Sequence, residues 1–93
     1  MPTHITQIDD DDDGVTILRV EGDMLYSDAE LIERIARQMH DTTGNAVTID
    51  LADLDFMDSE AASVLKRIEG SGGLEIVGME IFLQNAVNKA EKR

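Results

Sequence analysis

Ninety-three residues with 42% hydrophobic content and no cysteine make one globular domain over 1–93 and exclude disulfides, zinc ribbons and thiol catalysis. Eight Lys and Arg against twenty Asp and Glu leave a formal charge of −12, which argues against nucleic acid and against docking on anionic lipid, and suits a basic protein partner. No opening run is long or apolar enough for a signal peptide or a membrane span, so a cytoplasmic location without membrane insertion is expected.

THITQI (3–8) is a short β-type run. Aspartates 9–13 and Gly14 follow, and the Asp-Gly step reads as a hairpin turn. Asp9, Asp11, Asp13 and Gly14 have the spacing of positions 1, 3, 5 and 6 of a calcium loop. Position 12 then falls on Val20 instead of a glutamate, and the residues after Gly14 read as strand, so a solvated hairpin tip is expected and no metal site. VTILRVEG (15–22) carries Val15, Ile17, Leu18 and Val20 on both faces, which predicts a central, well-covered strand.

SDAE (27–30) has the form of a capping box, Ser27 with Glu30, ahead of the stripe Leu31, Ile32, Ile35, Ala36 and Met39. Gly44 stops that helix. AVTIDL (46–51) alternates and predicts a strand, and ADLDFMD is a short connection. A second helix begins at Ser59, with Ala61, Val64, Leu65 and Ile68 on one face, and ends at Gly70, Gly72 and Gly73. GSGG (70–73) lacks the lysine of a phosphate-binding loop and follows a helix instead of opening one. LEIV (74–77) is a strand, broken by Gly78. The last helix carries Met79, Phe82, Leu83, Ala86, Val87 and Ala90, a stripe that reads as core. The order β-β-α-β-α-β-α predicts an α/β, α+β-like fold: a small mixed four-stranded sheet with three amphipathic helices mostly on one face.

The segment TIDLADLDFMDSEAASVLKRI resembles the STAS domain, the fold of bacterial anti-sigma-factor antagonists. Asp50 and Leu51 match that family's strand end, and Phe56, Met57, Asp58 and Ser59 match the turn that opens its helix. The Glu21-Gly22-Asp23 turn and the strand at 72–77 agree in order. Glu60 stands where the family has a second serine, and Ala61 where it has glycine. The resemblance implies a protein–protein interaction module. Asp23, Asp55, Phe56, Met57, Asp58, Ser59, Glu60 and Ala62 would meet the partner. It also implies phosphorylation of Ser59 by a partner serine kinase that is itself the anti-sigma factor, with a phosphatase to reverse it. A non-switching subunit of a transport or membrane-associated assembly is the alternative, which Glu60 and Ala61 suit.

Read from the residues alone, Ser59 is an N-cap, a task Asp58 could share, or a modified hydroxyl. A catalytic nucleophile needs a base and an oxyanion site, and His4 and His40 belong to no such pattern. No catalytic residue and no cofactor is expected. Asp50, Asp53, Asp55, Asp58 and Glu60 form either a solvated loop or a docking surface for a basic patch.

Overall fold

The computed structural model describes residues 3–10 and 14–91. In chain order the elements are β1 (His4–Asp10), β2 (Val15–Met24), α1 (Tyr26–Thr43), β3 (Ala46–Asp50), β4 (Leu54–Met57), α2 (Ser59–Glu69), β5 (Leu74–Val77) and α3 (Met79–Glu91). The mixed α/β architecture is the expected one, and a fifth strand is added to it. Segment 52–58, expected as a plain connection, contains β4.

The sheet runs β1-β2-β3-β5, with β4 pairing β2 off that path. β1 and β2 are antiparallel, and β2–β3, β2–β4 and β3–β5 are parallel. β2 therefore changes neighbour along its length: Val15 to Arg19 lie beside β3, and Gly22 to Met24 beside β4. The exchange coincides with a shift of register between Gly22 and Asp23, where Gly22 has φ +85°. The expected Glu21-Gly22-Asp23 turn is thus an irregularity inside a strand, not a turn. A glycine takes that φ without the Cβ clash other residues would suffer. The aspartate run at 11–13, and with it the calcium-loop spacing, lies outside the described residues.

Burial along β2 alternates strictly. Leu18, Val20 and Met24 are sealed, while Val15 and Ile17 on the other face are half-buried. The strand is central but is fully covered on one side only. That covered side meets Val47 and Ile49 of β3, Ala29, Ile32 and Ala36 of α1, and Ala61, Val64, Leu65 and Ile68 of α2 in one core. Apolar groups recurring at three and four residues give each helix the stripe that can be buried this way. An ion-pair clasp holds α1 against α2. Arg67 donates from Nε and Nη2 to both Glu33 oxygens at 3.1 and 2.6 Å, and Arg37 Nη2 donates to Glu33 at 3.0 Å and to Ser71 Oγ at 2.7 Å.

α3 departs from expectation. Phe82 is buried and Met79 packs against the core, but Leu83 and Val87 are 53% and 51% exposed, and Ala86 is exposed too. The stripe is core over its first turn only; Ala90 lies outside the described side chains. At the turn into α3, Gly78 has φ +82°, and a Cβ there would lie 2.5 Å from the Ala52 backbone nitrogen. That close approach seats the start of α3 against the β3–β4 connection.

Candidate functional site

β2 and β4 run parallel and end side by side, Met24 opposite Met57. Each strand feeds directly into a helix, β2 into α1 and β4 into α2. Two helix N-termini therefore open next to one another at the carboxyl end of the sheet. Such ends carry unpaired backbone N–H groups and a partial positive charge.

One side chain serves both. Asp58 Oδ1 accepts the Ala61 N–H at 2.7 Å and caps α2, while its Oδ2 accepts the Tyr26 N–H at 3.3 Å at the start of α1. The Asp58 N–H in turn donates to the Met24 carbonyl at 3.3 Å. Asp58, not Ser59, is the cap. The Asp58 backbone is extended, the conformation an N-cap requires, and Ser59 is already the first helical residue. The Ser59 side chain is exposed, and its hydroxyl makes no hydrogen bond among the described residues.

The start of α1 is corrected in the same way. The helix opens at Tyr26, two residues before the SDAE box could act. Asp28 accepts the Leu25 N–H at 3.0 Å, and Ser27 is exposed.

Around Ser59 the surface is part apolar and part acidic. Phe56, Leu25 and Tyr26 are 48%, 46% and 40% exposed, large fractions for such side chains. Phe56 pairs with Asp23 across β4 and β2, and Met57 turns back toward the core. Glu60, Ala62 and Asp55 are exposed, and Asp23 is half-buried, its carbonyl accepting the Thr3 hydroxyl. The expected partner-facing residues are thus brought together at one end of the molecule. Leu25 and Tyr26 join them; the sequence signal for these two was an apolar pair immediately after a strand, outside the buried stripe of the helix.

The Tyr26 phenol donates to Glu30 at 3.0 Å, and that bond, reinforced by the Glu30 charge, holds it above the usual tyrosine range. Glu60 pushes in the same direction and Arg67 against it, so the phenol lies within electrostatic reach of α2. Asp50 and Asp53 fall to one side. Asp50 Oδ1 accepts the Ala52 N–H at 3.0 Å, and the Arg19 guanidinium sits 4.0 and 3.8 Å from Asp50 and Asp53.

His40 lies fourteen residues along α1 from Tyr26, roughly 21 Å away. Its Nδ1 is 2.7 Å from the Asn45 carbonyl, and its ring fills the space a Cβ on Gly73 would need. His4 lies on β1 opposite Glu21. Among the described residues no group of three or more His, Asp or Glu side chains is placed to hold a metal ion, and no helix is long and apolar enough to cross a membrane.

Comparison with solved structures finds small α/β domains of the same fold. The chain is similar to the STAS domain of an antisigma-factor antagonist from Rhodobacter sphaeroides, at 25% identity and a TM-score of 0.59, covering 85% of this chain and 89% of that one. The anti-sigma factor antagonist SpoIIAA in its unphosphorylated form shares the fold at 12% identity and a TM-score of 0.55, over 97% and 98% of the two chains. So does an uncharacterised protein with a SpoIIAA-like fold from Shewanella loihica, at 17% identity and a TM-score of 0.60, over 92% and 76%. Comparison with curated protein sequences finds no match. The model of the STAS domain matches residues 8–85, and the chain belongs to that family.

Proposed function

We propose that this STAS domain is a binding module, not an enzyme, and that the turn at Phe56–Ala62 docks a protein partner with Ser59 as its switch. The partner would be a serine kinase that is also an anti-sigma factor, opposed by a phosphatase. The kinase would transfer the γ-phosphoryl group of ATP to Ser59 Oγ, with ADP leaving and the hydroxyl proton lost. One observation carries the reading: the Ser59 hydroxyl stands exposed at the first position of α2, released from capping by Asp58.

The electrostatics bear on what such a phosphate would do. It adds about −1.5 to −2 charge. The α2 dipole favours it by about 0.3–1 kcal/mol. Asp58 and Glu60 oppose it; at ~4 Å a unit pair repels by about 1 kcal/mol in water and about 4 at an effective dielectric of 20. On these figures repulsion outweighs the dipole, but the buried Ala61, Val64, Leu65 and Ile68 hold α2 in place, so the helix survives modification and the effect falls on docking.

The test is capture of binding partners by wild type, Ser59→Ala and Ser59→Asp, with intact-mass analysis after incubation with the captured kinase and ATP. A phosphate on wild type but not on Ser59→Ala, together with altered capture by Ser59→Asp, is expected. An unmodified wild type with equal capture by all three forms overturns the switch.

A second reading rests on Glu60. It places a permanent negative charge where the family resemblance has a second serine, which suits constitutive binding in a transport or membrane-associated assembly. Phosphorylation of Glu60→Ser at the same level as wild type counts against any such effect of Glu60.

A further inference from the structure

Asp58 is the only side chain among the described residues seen to accept a backbone N–H from both α1 and α2. The two strands that deliver these helices are themselves joined, Met24 beside Met57, with the Asp58 N–H on the Met24 carbonyl. Leu25 and Tyr26 on one side and Phe56 on the other are exposed, and the Tyr26 N–H is bonded to that carboxylate. Charge placed on Ser59 competes with Asp58 for the first N–H groups of α2 and repels the Asp58 carboxylate directly. Either effect withdraws Oδ2 from the Tyr26 N–H.

We infer that the start of α1, Leu25 and Tyr26, is the second half of the docking surface, and that Asp58 transmits charge at Ser59 to it. This rests on the docking reading of the Ser59 turn given above. The surface fits a basic amphipathic segment of the partner. Exposed Leu25, Tyr26 and Phe56 offer apolar contact, while Asp28, Glu30 and Glu60 supply carboxylates around them. Arg19 and Arg67, cations on the neighbouring elements, are already engaged with Asp50 and Asp53 and with Glu33. Apolar anchors ringed by charge of one sign select a partner carrying the opposite sign.

The experiment is a set of ¹H–¹⁵N spectra of the full chain as wild type, Ser59→Glu, Asp58→Asn and the double variant. Asparagine keeps one carbonyl acceptor, so the α2 cap and the fold persist, and far-UV circular dichroism confirms that. Ser59→Glu is expected to shift the Tyr26 amide, and that shift is lost in the Asp58→Asn background. A Tyr26 amide that ignores Ser59→Glu, or responds equally with and without Asp58, overturns the coupling.

The surface itself is read by titrating a synthetic Lys/Leu amphipathic helical peptide. Shifts confined to Leu25, Tyr26, Phe56 and Glu60, and abolished in Tyr26→Ser with Phe56→Ser, are expected. Shifts spread over every acidic face overturn it. An intact Tyr26 response beside a Ser59 that no kinase modifies removes the phosphorylation switch alone.

Discussion

Asp58 holds its position through two acceptor bonds of unequal length, 2.7 Å to Ala61 and 3.3 Å to Tyr26. Replacing it with alanine strips the cap from α2 and leaves the Tyr26 N–H to water, and a lost cap costs about 1 kcal/mol. Asp58→Ala is therefore expected to lower the urea midpoint of unfolding, while Ser59→Ala leaves it unchanged because the serine is not the cap. Equal losses in both variants would contradict that assignment.

Glu33 gives a pH-dependent prediction. Its carboxyl is 13% exposed and held below its ordinary value of 4.5, first by the hydrogen bond from Arg67; burial pulls upward, and Arg37 adds to the lowering. A carboxylate whose folded value lies below its unfolded one binds more protons when unfolded. Its contribution is complete above about 4.5 and disappears as pH falls through the depressed folded value. Urea midpoints measured across that acid range are expected to fall less steeply in Glu33→Gln than in wild type. Parallel slopes would show that the clasp contributes nothing.

At the scale of elements, α3 and the Gly78 turn carry the sharpest contrasts. Phe82→Ala removes a buried ring and is expected to cost about 3–5 kcal/mol. Leu83→Gln, one residue along the same apparent stripe, should change stability by no more than about 0.5 kcal/mol because the side chain is half in water. Gly78→Ala forces a Cβ onto the Ala52 nitrogen and holds alanine at φ +82°. Strain of that kind costs about 1–3 kcal/mol, and denaturant titration of the three variants ranks them.

The α3 case also marks where the sequence is legible. A periodic stripe reveals that a helix has an apolar side, but not how much of it another element covers. Ala61, Val64, Leu65 and Ile68 announced α2 to the residue, because a full stripe began directly after two good capping residues. Which of those two was the cap depended on backbone geometry. β4 escaped notice because LDFM is four residues long with no alternation, and only β2 running past β3 gives it a neighbour. The Phe56–Ser59 turn was legible as a candidate site through its resemblance to a family motif. Leu25 and Tyr26 were not, since their place beside that turn comes from the pairing of Met24 with Met57, a contact 33 positions apart in the chain.

For the whole molecule, charge and shape give one expectation about association. A body of net charge −12 attracts a basic segment over long range, and ions screen that attraction. Association rates with the partner are expected to fall steeply between low and physiological salt, while dissociation rates change little. A salt-independent association rate would point to an apolar contact alone. The partner exchange along β2 has a consequence for how the protein breathes. The ladder of β1, β2, β3 and β5 is continuous, whereas β4 is joined to it only through the last residues of β2. Hydrogen exchange under native conditions should find the amides of Leu54 to Met57 opening at lower free energy than those of Leu18 or Ile49. The edge that carries Phe56 would then loosen while the remaining ladder stays closed, without the domain unfolding.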